Sequence, residues 1–282
     1  MPKKKPRKRS RSATSGIAVA LRRTAVWLIT AGAISIQATS CGFLPTPSSP
    51  PAPSLEHSGP NTATQFSGCR QFFVGGVPPS VPQAPMLREL CYEAFAILHS
   101  GIRKAPVFVA ERLTRASIED ANEKRTNKFF ADARLPRGER AELSDYKGSG
   151  YARGHMAPAG DMPNPIAMAQ SFSLANMVPQ NPAQNSGAWS KIEQDTRRYV
   201  LRAKGNVFVI TGPAFGPESL TVGANRVRVP THLFKLVYDE STGKAWAHWQ
   251  PNSADARAGR PISYAELTER IGMQLLPSVE VH

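Results

Sequence analysis

The spacing of apolar residues predicts strands over much of the chain beyond residue 66. Four runs rich in β-branched and aromatic residues are typical of buried strands, at 105–113, 205–215, 231–239 and 244–251. The last two are separated by a short polar segment, so we expect a hairpin there. A fifth run, 86–100, is compatible with a short helix, but its composition favours a strand over part of its length.

Two segments carry the helical period instead. Residues 186–203 place apolar side chains between charges as an amphipathic helix does, and residues 263–276 repeat the pattern. Ser263 precedes the second segment and Glu266 follows three residues later, which is typical of a helix N-terminus. Because strands and helices are mixed without strict alternation, we predict an α+β domain with a mostly antiparallel central sheet.

The N-terminal 41 residues have a different pattern. Nine Lys and Arg residues and no acid lie there, and thirteen uncharged residues from Thr24 to Ile36 follow the last of them. This stretch is shorter than the about 20 residues that span a bilayer, so it predicts a signal peptide over 1–41 and an exported bacterial protein, periplasmic, membrane-anchored or secreted. Cys41 ends a segment that resembles a lipoprotein processing site, which would attach the chain to a membrane. A plain signal peptide or an uncleaved anchor is the alternative.

Residues 42–65 are rich in Pro and Ser and predict a linker, which leaves 66–282 as one folded domain. Removing the nine basic residues of 1–41 from the net charge of +14 leaves +5 for the rest. A mildly basic domain is compatible with a polyanionic partner but does not require one. Cys69 and Cys91 form an even pair, which predicts a disulfide in an exported chain; two independent buried thiols are the alternative.

One loop-like stretch, YARGHMAPAGDM at 151–162, carries candidate chemistry. Arg153 and His155 are two residues apart, so in an extended segment their side chains lie on one side. Gly154 between them would allow a ligand or backbone to approach closely. A nearby cation favours a neutral imidazole, which accepts a proton from water, while arginine binds phosphate oxygens. This pair therefore suits phosphodiester hydrolysis, although a lone loop histidine is more commonly a surface residue.

A metal would assist the departure of so poor a leaving group. The chain has neither an HExxH nor a CxxC zinc motif. Residues 174–193 instead supply several amide side chains followed by Glu193, and amide and carboxylate oxygens suit a well-hydrated Mg²⁺. The alternative is that these amides are ordinary capping and loop residues.

Four blocks in order along the chain now identify a resemblance. YARGHMAPAGD, SFSLANMVPQNPAQNSGAWSKIE, VFVITGP and VRVPTHLFKLVYD resemble the DNA/RNA non-specific endonucleases, the endonuclease G-like family, from about Cys69 to near the C-terminus. The resemblance implies a ββα-metal fold, in which a hairpin and a helix hold one Mg²⁺, or Mn²⁺ in its place, against a larger sheet.

The resemblance also implies roles for individual residues. His155 matches the general base and Arg153 the arginine of the family's DRGH block. Asn185 matches the direct metal ligand, and Glu193 the helix acid that contacts the metal through water. Four further residues match neighbouring catalytic or substrate-binding positions: Asn176, Gln180, Arg197 and Arg125. The Asp of the block is replaced by Ala152, which puts the positioning of Arg153 in doubt.

The expected reaction is hydrolysis of DNA and RNA to products with 5′-phosphates. His155 would activate water, Mg²⁺ would stabilise the departing 3′-oxygen, and Arg153 would balance charge on the phosphate. No recognition helix or zinc finger is evident, so binding should be insensitive to sequence. A homodimer is compatible with the resemblance. Two other hypotheses stay open: an exported nucleic-acid-binding lipoprotein with reduced or lost catalysis, and a structural envelope protein built on a Cys69–Cys91 disulfide.

Overall fold

The computed structural model describes residues 60–279. The strands are β1 (Asn61–Ala63), β2 (Ser80–Pro82), β3 (Leu87–Cys91), β4 (Phe95–Ser100), β5 (Ala105–Leu113), β6 (Ala152–His155), β7 (Met177–Gln180), β8 (Val207–Ala214), β9 (Thr221–Val222), β10 (Val227–Arg228), β11 (His232–Asp239) and β12 (Lys244–Pro251). The α-helices are α1 (Arg115–Glu119), α2 (Leu143–Tyr146), α3 (Pro165–Ser171), α4 (Pro182–Gln184), α5 (Ser190–Val200) and α6 (Tyr264–Ile271). A π-helical turn, Asn185–Trp189, joins α4 to α5.

Six strands form the central sheet, in the order β12-β11-β8-β5-β4-β3. Every neighbouring pair in it is antiparallel, which confirms the α+β prediction. The four predicted strands and the hairpin between β11 and β12 are present. The run 86–100 is a hairpin of β3 and β4, because a three-residue interruption at 92–94 separates two extended halves.

Each face of the sheet is covered by its own core. Phe108, Phe234 and Leu236 pack on one face with α6, whose N-terminus is capped by Ser263 as predicted. The helix ends at Gly272, in a left-handed conformation with φ of 64°, several residues earlier than the apolar pattern suggested.

The opposite face carries the segments that held the candidate chemistry. Val109 and Leu233 on the sheet pack there against Trp189 and Ile192, at the start of the amphipathic helix. The short strands β6 and β7 pair antiparallel with each other and lie outside the central sheet. His155, at the end of β6, is thereby held beside this second core.

The N-terminal edge of the described chain is fixed by a disulfide. Cys69 and Cys91 are bonded, which confirms that prediction and joins the segment before β2 to the end of β3. Strand β1 lies inside the predicted linker 42–65, so ordered structure extends further towards the N-terminus than the composition indicated. Across residues 60–279, no helix has the length and apolar character needed to cross a membrane.

Candidate active site

His155 ends strand β6 with most of its ring buried. Its relative exposure is 7%, and its Nε2 has no hydrogen-bond partner within residues 60–279. The ring contacts Phe172 edge-to-face at 5.1 Å and Phe129 at 5.9 Å between centroids. Two aromatic rings therefore fix its orientation, while one of its nitrogens remains without a bond.

Two arginines flank this imidazole. The Arg153 guanidinium lies 4.1 Å from the centre of the Phe129 ring, which His155 also contacts, so both side chains occupy one side of β6 as predicted. The Arg125 guanidinium lies 4.9 Å from the Phe172 ring and donates to Asn127 Oδ1 at 2.7 Å. Among the described residues, neither arginine forms an ion pair with an acid. Their charges therefore remain available for an anionic ligand.

These surroundings keep the histidine neutral. Burial lowers the pKa of His155 to about 3, and the positive charges of Arg125 and Arg153 contribute further. The ring is therefore unprotonated at neutral pH. A phosphate bound between the arginines would offset their charge and raise the pKa, which would make the ring a stronger proton acceptor when substrate is present.

The space beside Gly154, which we expected to admit a ligand or backbone, holds the side chain of Gln180. This side chain would overlap any Cβ at position 154. Gln180 is fully buried and its Nε2 donates to Gln184 Oε1 at 2.5 Å. In this structure the Gln180 side chain packs against Gly154 of β6 and is closed off from solvent, so its substrate-binding role stays a prediction.

The Asn176 side chain is also enclosed within the protein. It is fully buried, and its side chain bonds to the backbone of Ala157 and to the Ser171 carbonyl. Both the oxygen and the nitrogen of its side-chain amide are therefore hydrogen-bonded within the protein. These bonds fix the loop immediately after His155 and favour a positioning role, while the catalytic role of Asn176 stays a prediction.

Asn185 and Glu193 have the chemistry that a hydrated divalent ion requires. Both are half-buried, and no hydrogen bond or ion pair engages either side-chain head group within the described residues. No cluster of three or more His, Cys, Asp or Glu residues suited to a metal exists among those residues. An ion held by one amide oxygen, with other contacts through water, fits this donor set, because Mg²⁺ keeps most of its waters. The residues present therefore fit the ion that the fold implies.

The π-helical turn affects how these two side chains are arranged. In a regular α-helix, residues eight apart differ by roughly 80° around the axis. The wider π turn at Asn185–Trp189 rotates the chain less per residue and reduces that difference. Asn185 and Glu193 are thus brought towards one face of the continuous helix.

Glu193 is linked electrostatically to the histidine through Arg125, whose charge acts on both residues. Burial raises the pKa of Glu193 to about 7; Lys235 opposes this shift and Asp161 adds to it. The structure thus brings together His155, Arg125, Arg153 and Glu193.

Arg197 lies one turn beyond Glu193 and is already paired. Its Nη1 donates to the buried Asp161 at 2.7 Å, and its side chain is 22% exposed. It differs in this respect from Arg125 and Arg153. We therefore expect Arg197 to stabilise the helix beneath the site more than to bind substrate.

A buried charge cluster beneath α5 was not predicted from the sequence. Glu111, Lys235 and Asp161 are each at most 3% exposed, and their charges act on one another and on Glu193 and Arg197. Lys235 donates to Thr211 on the neighbouring strand at 2.8 Å and lies 5.6 Å from the Trp189 ring. The sequence did contain a signal for this cluster, because Glu111 and Lys235 are charged residues inside mostly apolar strand runs.

A profile of the DNA/RNA non-specific endonucleases matches residues 79–280, most of the chain. The chain belongs to this family. Membership agrees with the resemblance seen in the sequence.

Three relatives illustrate the similarity, all of them described as mitochondrial. Nuclease EXOG of Xenopus laevis is 35% identical over 163 residues, covering 54% of this chain and 45% of the relative. Human endonuclease G is 32% identical over 162 residues, covering 54% of each chain. Nuclease 1 of Schizosaccharomyces pombe is 30% identical over 188 residues, covering 62% and 56%. The matched part of this chain thus spans about half the length of these relatives.

The fold is shared with a solved structure of EndoG bound to EndoGI, described as revealing the mechanism of EndoG inhibition. The TM-score is 0.65 with 24% identity, covering 78% of this chain and 94% of the other. This likeness confirms the predicted ββα-metal nuclease fold.

The comparisons contradict the predicted localisation. The relatives are described as mitochondrial, so the interpretation of the chain as an exported bacterial protein, periplasmic, membrane-anchored or secreted, is wrong. The prediction of bacterial export rested only on the composition of residues 1–41, in which a basic segment precedes an apolar one. That segment and Cys41 lie outside the described residues, so lipidation stays an untested prediction.

Proposed function

We propose that this protein is a divalent-metal-dependent nuclease that hydrolyses phosphodiester bonds in both DNA and RNA. The observation that carries the proposal is the neutral, buried His155 between two arginines without acidic partners. A proton acceptor beside two unpaired guanidinium groups suits attack on a phosphodiester. Membership of the family supports the same conclusion.

Each residue has a role in this proposal. His155 accepts the proton of the attacking water, and Arg125 and Arg153 bind the non-bridging oxygens and oppose the charge that grows during attack. Asn185 would hold Mg²⁺ or Mn²⁺, and Glu193 would contact it through water. When bound, the ion would supply positive charge near the departing 3′-oxygen, as metals do in phosphodiester hydrolysis. The products would carry 5′-phosphates.

Substrate selection would depend on the backbone. Arginines that contact phosphate do not distinguish bases, and such binding weakens as salt rises. Both DNA and RNA are therefore proposed as substrates. Homodimerisation remains a prediction.

Plasmid cleavage in Mg²⁺, with an EDTA control, tests the proposal. We expect nicking that EDTA abolishes and that is lost in His155→Ala, while circular dichroism shows an unchanged fold. The 5′ ends should accept labelled phosphate from a polynucleotide kinase only after phosphatase treatment. Full activity in His155→Ala would remove this histidine from the mechanism, and binding without any cleavage would favour the non-catalytic hypothesis.

A further inference from the structure

A cleft of about 610 Å³ opens beside Arg153. Its main lining residues are Phe129, Leu143, Tyr146, Lys147, Tyr151 and Arg153. The volume lies within the range of about 300–1,000 Å³ that is usual for small-ligand pockets. Most of its residues lie outside the proposed catalytic set.

The lining has an unusual balance of chemistry. Three aromatic residues and two cations line the cleft, and no acid is present among the described residues that line it. Tyr146 is largely buried, whereas Phe129 and Tyr151 are half-buried. Leu143 is 45% exposed there, which is large for an aliphatic side chain on a short helix. Ala152 is also part of the wall, so this position adds no charge. An occupant with a flat apolar part and a negative charge complements these features.

The cleft is continuous with the candidate active site. The Phe129 ring contacts both the Arg153 guanidinium, at 4.1 Å, and the His155 ring, at 5.9 Å. Arg153 belongs to both the cleft wall and the site. A strand whose phosphate lies at His155 would therefore place a neighbouring nucleotide at or in the cleft.

The wall formed by α2 is held in place by its own hydrogen bonds. Asp145 accepts a bond from the Glu142 N–H at 2.8 Å, and bonds from both the backbone and side chain of Asn225 at 3.0 and 2.9 Å. Gly223 lies so close to Asp145 that a Cβ there would clash. The cleft is therefore preformed, which lowers the entropic cost of binding.

We propose that this cleft is a nucleobase subsite, which binds the base of a nucleotide adjacent to the phosphate held at His155. The proposal rests on the nuclease function proposed above. The base would stack on the Tyr151 ring, Arg153 would bind the phosphate held at His155, and Lys147 would bind the phosphate on the other side of the base. Every base offers a π face, so the subsite would accept all four bases and still contribute affinity.

An abasic scan tests the subsite. Binding of a fluorescent hexathymidylate is measured by anisotropy in EDTA, with a base-free sugar placed at each position in turn. For the unmodified protein we expect one position, or two neighbouring ones, at which loss of the base weakens binding about ten-fold, the scale of base–aromatic stacking. In Tyr151→Ala and in Leu143→Glu, that position-dependent loss should disappear. Leu143 is exposed, so its substitution keeps the test usable if Tyr151→Ala unfolds.

The matched control is Phe130→Ala, since Phe130 is 40% exposed and does not line the cleft. It should retain the full position dependence. A flat scan for the unmodified protein, or a scan unchanged in both cleft variants, would overturn the subsite. Plasmid cleavage by the same preparations is scored separately: its absence rejects the proposed nuclease function, whereas cleavage with a flat scan rejects the subsite alone.

Discussion

The side chain of Asn176 forms two hydrogen bonds with the backbone of Ala157. Its Oδ1 accepts from the Ala157 N–H at 2.9 Å, and its Nδ2 donates to the Ala157 carbonyl at 2.8 Å. The Met156 N–H also donates to the Asn176 carbonyl at 3.0 Å. The two residues that follow His155 are thereby fixed to the residue just before β7, so the histidine depends on Asn176 for its position.

Replacing Asn176 by Ala should therefore lower the free energy of unfolding, with a smaller effect on the catalytic step. The change leaves buried backbone groups of Ala157 and Ser171 without partners, each costing about 1–3 kcal/mol. We expect the free energy of unfolding to fall by roughly 3 kcal/mol, measured by urea denaturation. Activity at low temperature should persist at a reduced level with an unshifted pH profile. Complete loss of activity at unchanged stability would support the predicted catalytic role instead.

The low pKa of His155 predicts a specific pH dependence. Burial is its first cause and the charges of Arg125 and Arg153 are the next. The variant Arg153→Gln lacks one of these charges, so the pKa of His155 should rise from about 3 towards its ordinary value. NMR titration of the ring protons measures this pKa. Adding an inert phosphodiester analogue to the unmodified protein should shift it in the same direction. An identical titration curve in all three samples would show that the arginines do not act on this ring.

The same shift predicts how stability changes with pH. The unfolded chain takes up a proton on His155 as the pH falls through about 6.5, while the folded chain takes one up only near pH 3. Between these values the unfolded state binds more protons, so stability falls as the pH falls. His155→Gln should flatten the free energy of unfolding across this window. An equally steep dependence in the variant would assign the effect to other groups.

The sheet was the most predictable part of the molecule. The runs at β5, β8 and β11 are apolar at most positions, because almost every residue of these strands is buried. Strand β12 lies at the edge of the sheet, and most of its residues are only half-buried or exposed. The shared face of Arg153 and His155 also followed from strand periodicity alone.

The amides of the site were less predictable, for a physical reason. An Asn or Gln side chain offers the same donor and acceptor to a backbone, a metal or a ligand. Sequence spacing therefore did not separate the half-buried, unbonded Asn185 from Asn176 and Gln180, which are buried and engaged inside the protein. The π turn was not predicted, because it precedes the regular helix whose charged and apolar positions gave the amphipathic pattern.

Asn185 should control the metal requirement. Removing its side-chain oxygen in Asn185→Ala should raise the Mg²⁺ concentration for half-maximal plasmid cleavage by about ten-fold or more, the scale seen for lost metal-site interactions. Ser186→Ala is the matched control, since Ser186 is exposed and bonds only to the Pro182 carbonyl. An unchanged Mg²⁺ curve for Asn185→Ala would count against the ligand role.

The buried charge cluster predicts an asymmetry between two substitutions. Lys235→Met removes a positive charge that acts on Glu111, Asp161 and Glu193, and leaves buried carboxylates poorly compensated. We expect a loss of about 3–5 kcal/mol, the usual result of removing one partner from a buried ionic group. Glu111→Gln should instead change stability by less than about 1 kcal/mol, because burial raises the pKa of Glu111 well above its ordinary value and so disfavours the charged form that the substitution removes. Both values come from urea denaturation at pH 7. A large loss in Glu111→Gln would show that the charged form of Glu111 contributes to stability. No loss in Lys235→Met would show that Lys235 is not needed to balance the charges beneath α5.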